Sequence, residues 1–145
     1  MGRTYTVNFV HCVFSTKQRQ PLIVATEKLW NYLRGVGRNI GVNVVAAGGT
    51  NNHVHLLLAI PSTCSVAKIM QDLKANSSRH LNEQQNGFAW QDGYGAISVS
   101  PSQLQRVVAY IEHQDEHHRS RTFEEEYVTI LDRSGVQYDS AHLLD

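Results

Sequence analysis

Two apolar runs, "VNVVAA" (Val42 to Ala47) and "HVHLLLAI" (His53 to Ile60), are separated only by "GGTNN". Five residues of Gly, Thr and Asn are too few for a parallel crossover and carry the chemistry of a tight turn, so the two runs must pair antiparallel. This hairpin fixes the centre of any sheet the chain builds. On one side of it, Tyr5 to Phe14 alternates Tyr5, Val7, Phe9, His11 and Val13 with Thr6, Asn8, Val10, Cys12 and Phe14, which predicts a strand with both faces partly covered. Thr26 is expected to cap a helix through about Asn39, in which Leu29, Leu33, Val36 and Ile40 recur near helical spacing before Gly41 ends it. On the other side, Pro61 and Ser62 break the third strand, and Val66, Ile69, Met70 and Leu73 predict a helix from near Ser65 to about Glu83. "FAWQDGYGAISVS" reads as a fourth strand with a glycine-bearing kink. Ser100 and Pro101 then start a third helix, "SQLQRVVAYIEHQDEHHR", with Leu104, Val107, Val108 and Ile111 as its apolar stripe.

The order strand, helix, strand, strand, helix, strand is that of a ferredoxin-like (RRM-like) α+β fold: a βαββαβ antiparallel sheet with an additional C-terminal helix. At 145 residues the chain has the size of a single domain, residues 1–145, with 130–145 expected as a C-terminal tail. Apolar residues make up 41% and charged residues 18%, with three prolines, which excludes a disordered or fibrous chain. The longest apolar stretches fall far short of the roughly 20 residues that span a bilayer, and the N-terminus alternates instead of forming a signal-peptide core, so no membrane association is expected. Cys12 and Cys64 have no regular spacing, which suggests free thiols in a reducing cytoplasm. The formal net charge of zero conceals a split. Residues 1–106 hold ten Lys and Arg against four Asp and Glu, while residues 107–145 hold three against nine, so a basic face for a polyanion is compatible with the zero sum.

Function has to come from a site, because this fold hosts many activities. His53 and His55 stand two apart on a strand, hence on one face, with their ring-bearing carbons about 6.6 Å apart. Two neutral imidazoles at that reach can clamp one metal ion. On the third helix Tyr110, Gln114 and His117 line one flank of the apolar stripe, and Tyr110 and Gln114, four apart, can address one object. Each has a simpler explanation when taken alone: a tyrosine packs its ring beside a stripe, and Gln114 is a surface amide. His113, His117 and His118 include an i, i+4 pair suited to zinc, but the acids between them favour a solvated helix face. His11 and His80 are most simply polar residues at the edge of the core.

In combination the elements resemble a known family, the single-tyrosine HUH transposases of the smallest bacterial insertion sequences (IS200-like), HUH denoting His-hydrophobic-His. The resemblance runs through "VHCVFSTKQRQPLI", "NNHVHLLL", "LKANSSRHLNE", "FAWQDGYGAISVS", "VVAYIEHQDEHHR" and "TFEEEYVTIL". It implies that His53, His55 and Gln114 are metal ligands for Mg²⁺ or Mn²⁺ and that Tyr110 is the nucleophile. The family more often has Asp where this chain has Asn52, a change that touches the surroundings of His53 and leaves the ligands intact. The expected activity is cleavage and rejoining of single-stranded DNA at hairpin-marked element ends through a 5′-phosphotyrosine. No nucleotide cofactor is needed, since the ester retains the bond energy. A homodimer is implied as well, with the tyrosine helix completing the partner's site.

Trp90 or Tyr94 can offer a stacking platform for an unpaired base, against the plainer expectation of core packing. Lys68, Lys74 and Arg79 can track phosphates of a hairpin, against solvated surface. The acidic run Glu124 to Glu126 is taken as solvated or as a dimer contact. Two alternatives lie within the same ancestry: a non-catalytic hairpin-binding module, and a domesticated transposase tied to repetitive extragenic palindromes. A third is a two-histidine hydrolase that uses a metal-bound water and for which Tyr110 is dispensable.

Overall fold

In the computed structural model, which describes residues 2–145, the hairpin sits where its short link requires. The order is β1 (Phe9–Ser15), α1 (Thr26–Asn39), β2 (Asn43–Thr50), β3 (His53–Ala59), α2 (Val66–Gln84), β4 (Gly95–Val99), α3 (Leu104–Glu112), a single turn α4 (Gln114–His117) and α5 (Phe123–Arg133). The four strands form one antiparallel sheet in the order β2-β3-β1-β4, the ferredoxin-like arrangement expected from the element order.

Every residue of β3 from His53 to Leu58 is buried, because helices cover both faces of the sheet. Leu56, Leu58 and Val54 point with Cys12 and Phe14 into a core closed by Leu29, Trp30 and Leu33 of α1 and Ile69, Met70 and Leu73 of α2. Leu57 faces the other way, onto Ala46 and Ile111 of α3, while Val13 meets Phe123, Tyr127 and Leu131 of α5. Fully burying each of these leucines stabilises the fold by about 1.5–3 kcal/mol. Directly opposed residues share a face, so the pairings His11 with Leu57 and Val13 with His55 put His11, His53 and His55 together under α3 and α5.

Several expectations change in detail. Strand β1 begins at Phe9, not Tyr5. Phe9 opposes Ala59 and Val99, the last residues of both neighbouring strands, so the alternation before it has no ladder to join and Tyr5 and Val7 are exposed. Thr26 is the first residue of α1 and Ala25 stands at its N-cap with no side-chain bond, whereas Ser65 does cap α2, accepting from the Lys68 amide at 3.2 Å. Only Gly95–Val99 forms β4. The carbonyls of Gln91, Asp92 and Gly93 turn instead to the Lys74 ammonium, at 2.6, 2.9 and 2.9 Å.

The third helix is interrupted at His113, whose Nδ1–H takes the Ala109 carbonyl at 2.6 Å, the acceptor its own amide would use in a continuous helix. Helix α5 was not anticipated. Its start is encoded by a capping box, Thr122 with Glu125, and its buried face by Phe123, Tyr127 and Leu131. It runs to Arg133, and beyond it, after an exposed stretch, Leu143 and Leu144 of the expected C-terminal tail pack onto the same cluster.

Gly48 on β2 lets α3 approach this closely. A Cβ built there would overlap the Ile111 carbonyl, a backbone atom that yields only if the helix moves. Gly48→Ala is therefore expected to cost about 1–3 kcal/mol, the range for overpacking, read as a lowered thermal midpoint.

Candidate metal and nucleophile site

The face shared by His11, His53 and His55 receives one side chain from each element packed on it. From α4 comes Gln114, 2% exposed, whose Oε1 lies 3.0 Å from His53 Nε2. The break at His113 delivers it, with its amide nitrogen donating back to the Tyr110 carbonyl at 3.3 Å. From α5 comes Glu126, fully buried, with Oε1 3.0 Å from His55 Nε2 and 3.6 Å from His53 Nε2. The last turn of α3 supplies Tyr110, whose hydroxyl donates to Glu126 Oε2 and whose ring lies 5.8 Å from that of His55. His117 stacks on the Tyr110 ring at 4.5 Å, and Phe123 stacks on His53 at 4.5 Å. Arg121 donates to the Tyr110 hydroxyl oxygen at 3.0 Å, and His118 Nε2 lies 3.0 Å from Glu126 Oε1.

The histidines are oriented from behind. His53 Nδ1 lies 2.8 Å from Asn52 Oδ1 and 3.1 Å from Thr50 Oγ1, and with the ring proton on Nδ1 the Nε2 lone pair is turned toward the Gln114 side of the site. Burial, and then the charge of His55, hold the His53 imidazole down to about 3, so that lone pair is available at neutral pH. His55 Nδ1 meets His11 Nε2 at 2.8 Å. Burial, followed by the charge of His55, lowers the His11 ring to about 3 as well. A neutral imidazole can either donate or accept, so His11 matches whichever tautomer His55 adopts.

Glu126 is pulled in two directions: burial alone would raise its carboxyl, but the hydrogen bond and charge of His55, the Tyr110 hydroxyl and the charge of His53 outweigh it and keep the group ionised. Tyr110 goes the other way. Burial first, then the hydrogen bond and charge of Glu126, push its phenol above the ordinary value, against the lowering influence of Arg121.

The donor set fits a divalent cation. The ligand atoms of His53, His55 and Glu126 all lie within 4.8 Å of one another, and Gln114 Oε1 stands 3.0 Å from His53 Nε2, so four donors gather around one point. Two imidazoles, a carboxylate and an amide oxygen at this spacing suit a divalent cation.

Of the residues singled out in the sequence, His53, His55, Gln114 and Tyr110 come together, and Asn52 orients His53 as its position suggested. Glu126, His11, His118 and Arg121 are additions. The run Glu124 to Glu126 is not uniformly solvated: Glu124 pairs with Arg19 at 2.7 Å on the surface and Glu125 closes the capping box, but Glu126 belongs to the site. The helical period held the clue, since Glu126 falls between Phe123 and Tyr127 on the buried side of α5.

The expected DNA-contact residues fare differently. Trp90 is a core residue, its indole N–H donating to Ser77 Oγ at 3.0 Å and its ring edge-on to Phe14 and Phe88, so it offers no face to a base. Lys74 is held by three carbonyls and does not reach outward. Tyr94 is half-buried against the same core. Lys68 and Arg79 remain at the surface, Lys68 paired with Asp72 at 3.1 Å and Arg79 bonded to Asn76 at 2.6 Å. Both cysteines are free, and burial pushes the Cys12 thiol up to about 12, as befits a core residue. No helix among the described residues is long and apolar enough to cross a membrane.

A ferredoxin-like sheet bearing two histidines on a central strand, faced by a tyrosine helix, points to a DNA-processing enzyme of the transposase class, and sequence comparison agrees. The family described as "Transposase IS200 like" matches residues 4–114. The transposase for insertion sequence element IS200 of Salmonella typhimurium is 30% identical over 114 residues, 72% of this chain and 74% of that protein. The chain belongs to the IS200-like transposase family.

Two solved structures share the fold. A transposase structure from Deinococcus radiodurans R1 superposes with a TM-score of 0.63 at 24% identity, covering 77% of this chain and 97% of that one. A REP-associated tyrosine transposase bound to a REP hairpin superposes with a TM-score of 0.58 at 16% identity, covering 77% of this chain and 68% of that one.

Proposed function

We propose that this transposase cleaves and rejoins single-stranded DNA at hairpin-marked ends, with Tyr110 as nucleophile and a divalent cation held by His53, His55, Gln114 and Glu126. The observation that carries the reading is the meeting of Tyr110 with the two histidines across one carboxylate: Glu126 touches both the phenol and His55. These donors would hold a Mg²⁺ or Mn²⁺ ion, which would supply Lewis acidity to offset the charge of the displacement.

The protein groups do the rest. Glu126 Oε2 accepts the phenol proton as Tyr110 Oη forms its bond to phosphorus, the bond to the departing 3′ oxygen breaks, and that oxygen takes a proton from water. The product is a 5′-phosphotyrosine and a free 3′-hydroxyl, which a second 3′-hydroxyl can reverse without ATP. In the resting arrangement burial, and after it the ionised Glu126, make Tyr110 a weaker acid than free tyrosine. A cation held by His53, His55, Gln114 and Glu126 would offset this effect and so couple its own binding to activation of the nucleophile. For His55 Nε2 to act as a ligand its proton belongs on Nδ1, donating to His11. His11→Ala is expected to weaken Mn²⁺ affinity about 10- to 100-fold, measured by titration calorimetry, while leaving all four donors in place.

The deciding experiment incubates the protein and Mg²⁺ with labelled single-stranded oligonucleotides from the ends of the DNA flanking its own gene, and looks for a covalent adduct on a denaturing gel. An adduct lost with EDTA is the expected result; oligonucleotides that bind without becoming attached would favour the hairpin-binding module. A homodimer with shared sites is part of the proposal only as the family resemblance implies it, and mixing His53→Ala with Tyr110→Phe tests it. A mixture that forms adduct would bear out the shared sites; an inactive mixture would mean that each chain uses its own tyrosine, which lies beside its own His55.

A further inference from the structure

Arg121 lies outside every motif discussed so far, yet its Nη2 stands 3.0 Å from the Tyr110 hydroxyl oxygen, the atom that would attack. That is the only hydrogen bond of its side chain among the described residues, and the guanidinium stays 3.9 Å from Glu126 Oε2, too far for a close pair. Its backbone is pinned on both sides: the Arg121 carbonyl lies 3.0 Å from His118 Nδ1, and the next residue, Thr122, caps α5. Its side chain is 29% exposed and lines a surface cleft with Asn52, His118 and Phe123, neighbours of the site. A buried structural arginine would have its donors satisfied by protein; this one is part-exposed beside a cleft, and its one side-chain hydrogen bond goes to the oxygen that would attack.

We propose that Arg121 is a catalytic residue that grips a non-bridging oxygen of the scissile phosphodiester while Tyr110 attacks, and holds the phosphotyrosine afterwards. The inference rests on the tyrosine-nucleophile reading. A phosphorus atom placed for attack by Tyr110 Oη puts its non-bridging oxygens within reach of a guanidinium 3.0 Å from that oxygen. As the Oη–P bond forms and the bond from phosphorus to the 3′ oxygen breaks, the phosphodiester passes from one negative charge to two shared over its oxygens. The proton leaves the phenol for Glu126 Oε2, so the guanidinium keeps its charge throughout and meets the added negative charge where it develops. Lysine cannot reproduce this fully, because its single ammonium lacks the planar fork.

The test compares wild type, Arg121→Ala, Arg121→Lys and Tyr110→Phe with Mg²⁺ and the same hairpin-bearing oligonucleotide, measuring adduct formation in a single turnover and binding separately. Arg121→Ala is expected to slow adduct formation about 10²- to 10³-fold with binding changed less than about threefold, and Arg121→Lys to recover part of the loss. Free guanidinium ion added to Arg121→Ala is expected to restore adduct formation, which a merely structural role would not allow. Full-rate adduct in Arg121→Ala overturns the proposal, and so does a loss that guanidinium fails to rescue. If wild type forms no adduct, or Tyr110→Phe still does, the tyrosine reading itself falls and this inference falls with it.

Discussion

Tyr110→Phe is expected to lose the covalent adduct by about 10⁴-fold or more while still binding the hairpin oligonucleotide, because it removes one oxygen and nothing else the site needs. The phenylalanine ring can keep the 4.5 Å stack on His117 and the edge contact with His55. What disappears is the hydroxyl that donates to Glu126 and accepts from Arg121. Glu126 retains His55 and His118 at 3.0 Å and Arg121 is part-exposed to water, so the loss of these two hydrogen bonds is expected to cost about 1–3 kcal/mol. A small shift in thermal midpoint with a complete loss of adduct would separate chemistry from folding. Cleavage that persists in Tyr110→Phe would move the nucleophile to water and favour the two-histidine hydrolase.

Why some of this site was legible in sequence and some was not follows from where each residue sits. His53 and His55 could be read because strand period puts i and i+2 on one face and the hairpin fixes which strand they lie on. Tyr110 and Gln114 could be paired by helical spacing, although the structure reaches that pairing differently: the helix breaks at His113, and it is the displaced turn that turns Gln114 inward. His11 is brought to His55 only by strand register across 44 residues of chain, which the alternation of β1 alone does not encode.

Glu126 and Arg121 needed α5, whose start is written in Thr122 and Glu125 but whose three consecutive acids look like a solvated face. Trp90 and Lys74 erred in the opposite direction. An aromatic and a basic residue near a DNA-binding motif suggest ligand contact, yet the irregular approach to β4 needs Trp90 as core and the Lys74 ammonium as a bridge between carbonyls. Composition carries none of that information, because both roles use the same side chains.

The same buried imidazoles predict acid lability well above the pH at which carboxylates titrate. His11 and His53 stand near 3 in the folded protein, against an ordinary value of 6.5, because burial disfavours their charged forms. A lowered histidine means that below about pH 6.5 the unfolded chain binds protons the folded chain refuses, so stability is complete above that value and falls as the pH drops toward 3. Each such group contributes a slope of up to about 1.4 kcal/mol per pH unit, and together the two should cost about 2–3 kcal/mol between pH 6 and pH 5. Glu126 adds to the loss lower down, since its carboxyl, held below the ordinary carboxylate range, takes up its proton more readily in the unfolded chain. Thermal melts from pH 7.5 to pH 4.5 should show this decline, and His11→Asn should flatten it by removing one of the two groups while keeping a polar partner for His55. A midpoint that stays level from pH 7 to pH 5 would mean that these imidazoles can charge in place. The three-sided burial of the site between β1, β3 and α5 would then be looser than its geometry requires. Mn²⁺ should oppose the acid loss, because protons compete with it for the same nitrogens, and its protection should vanish in step with the ligation of His53 and His55.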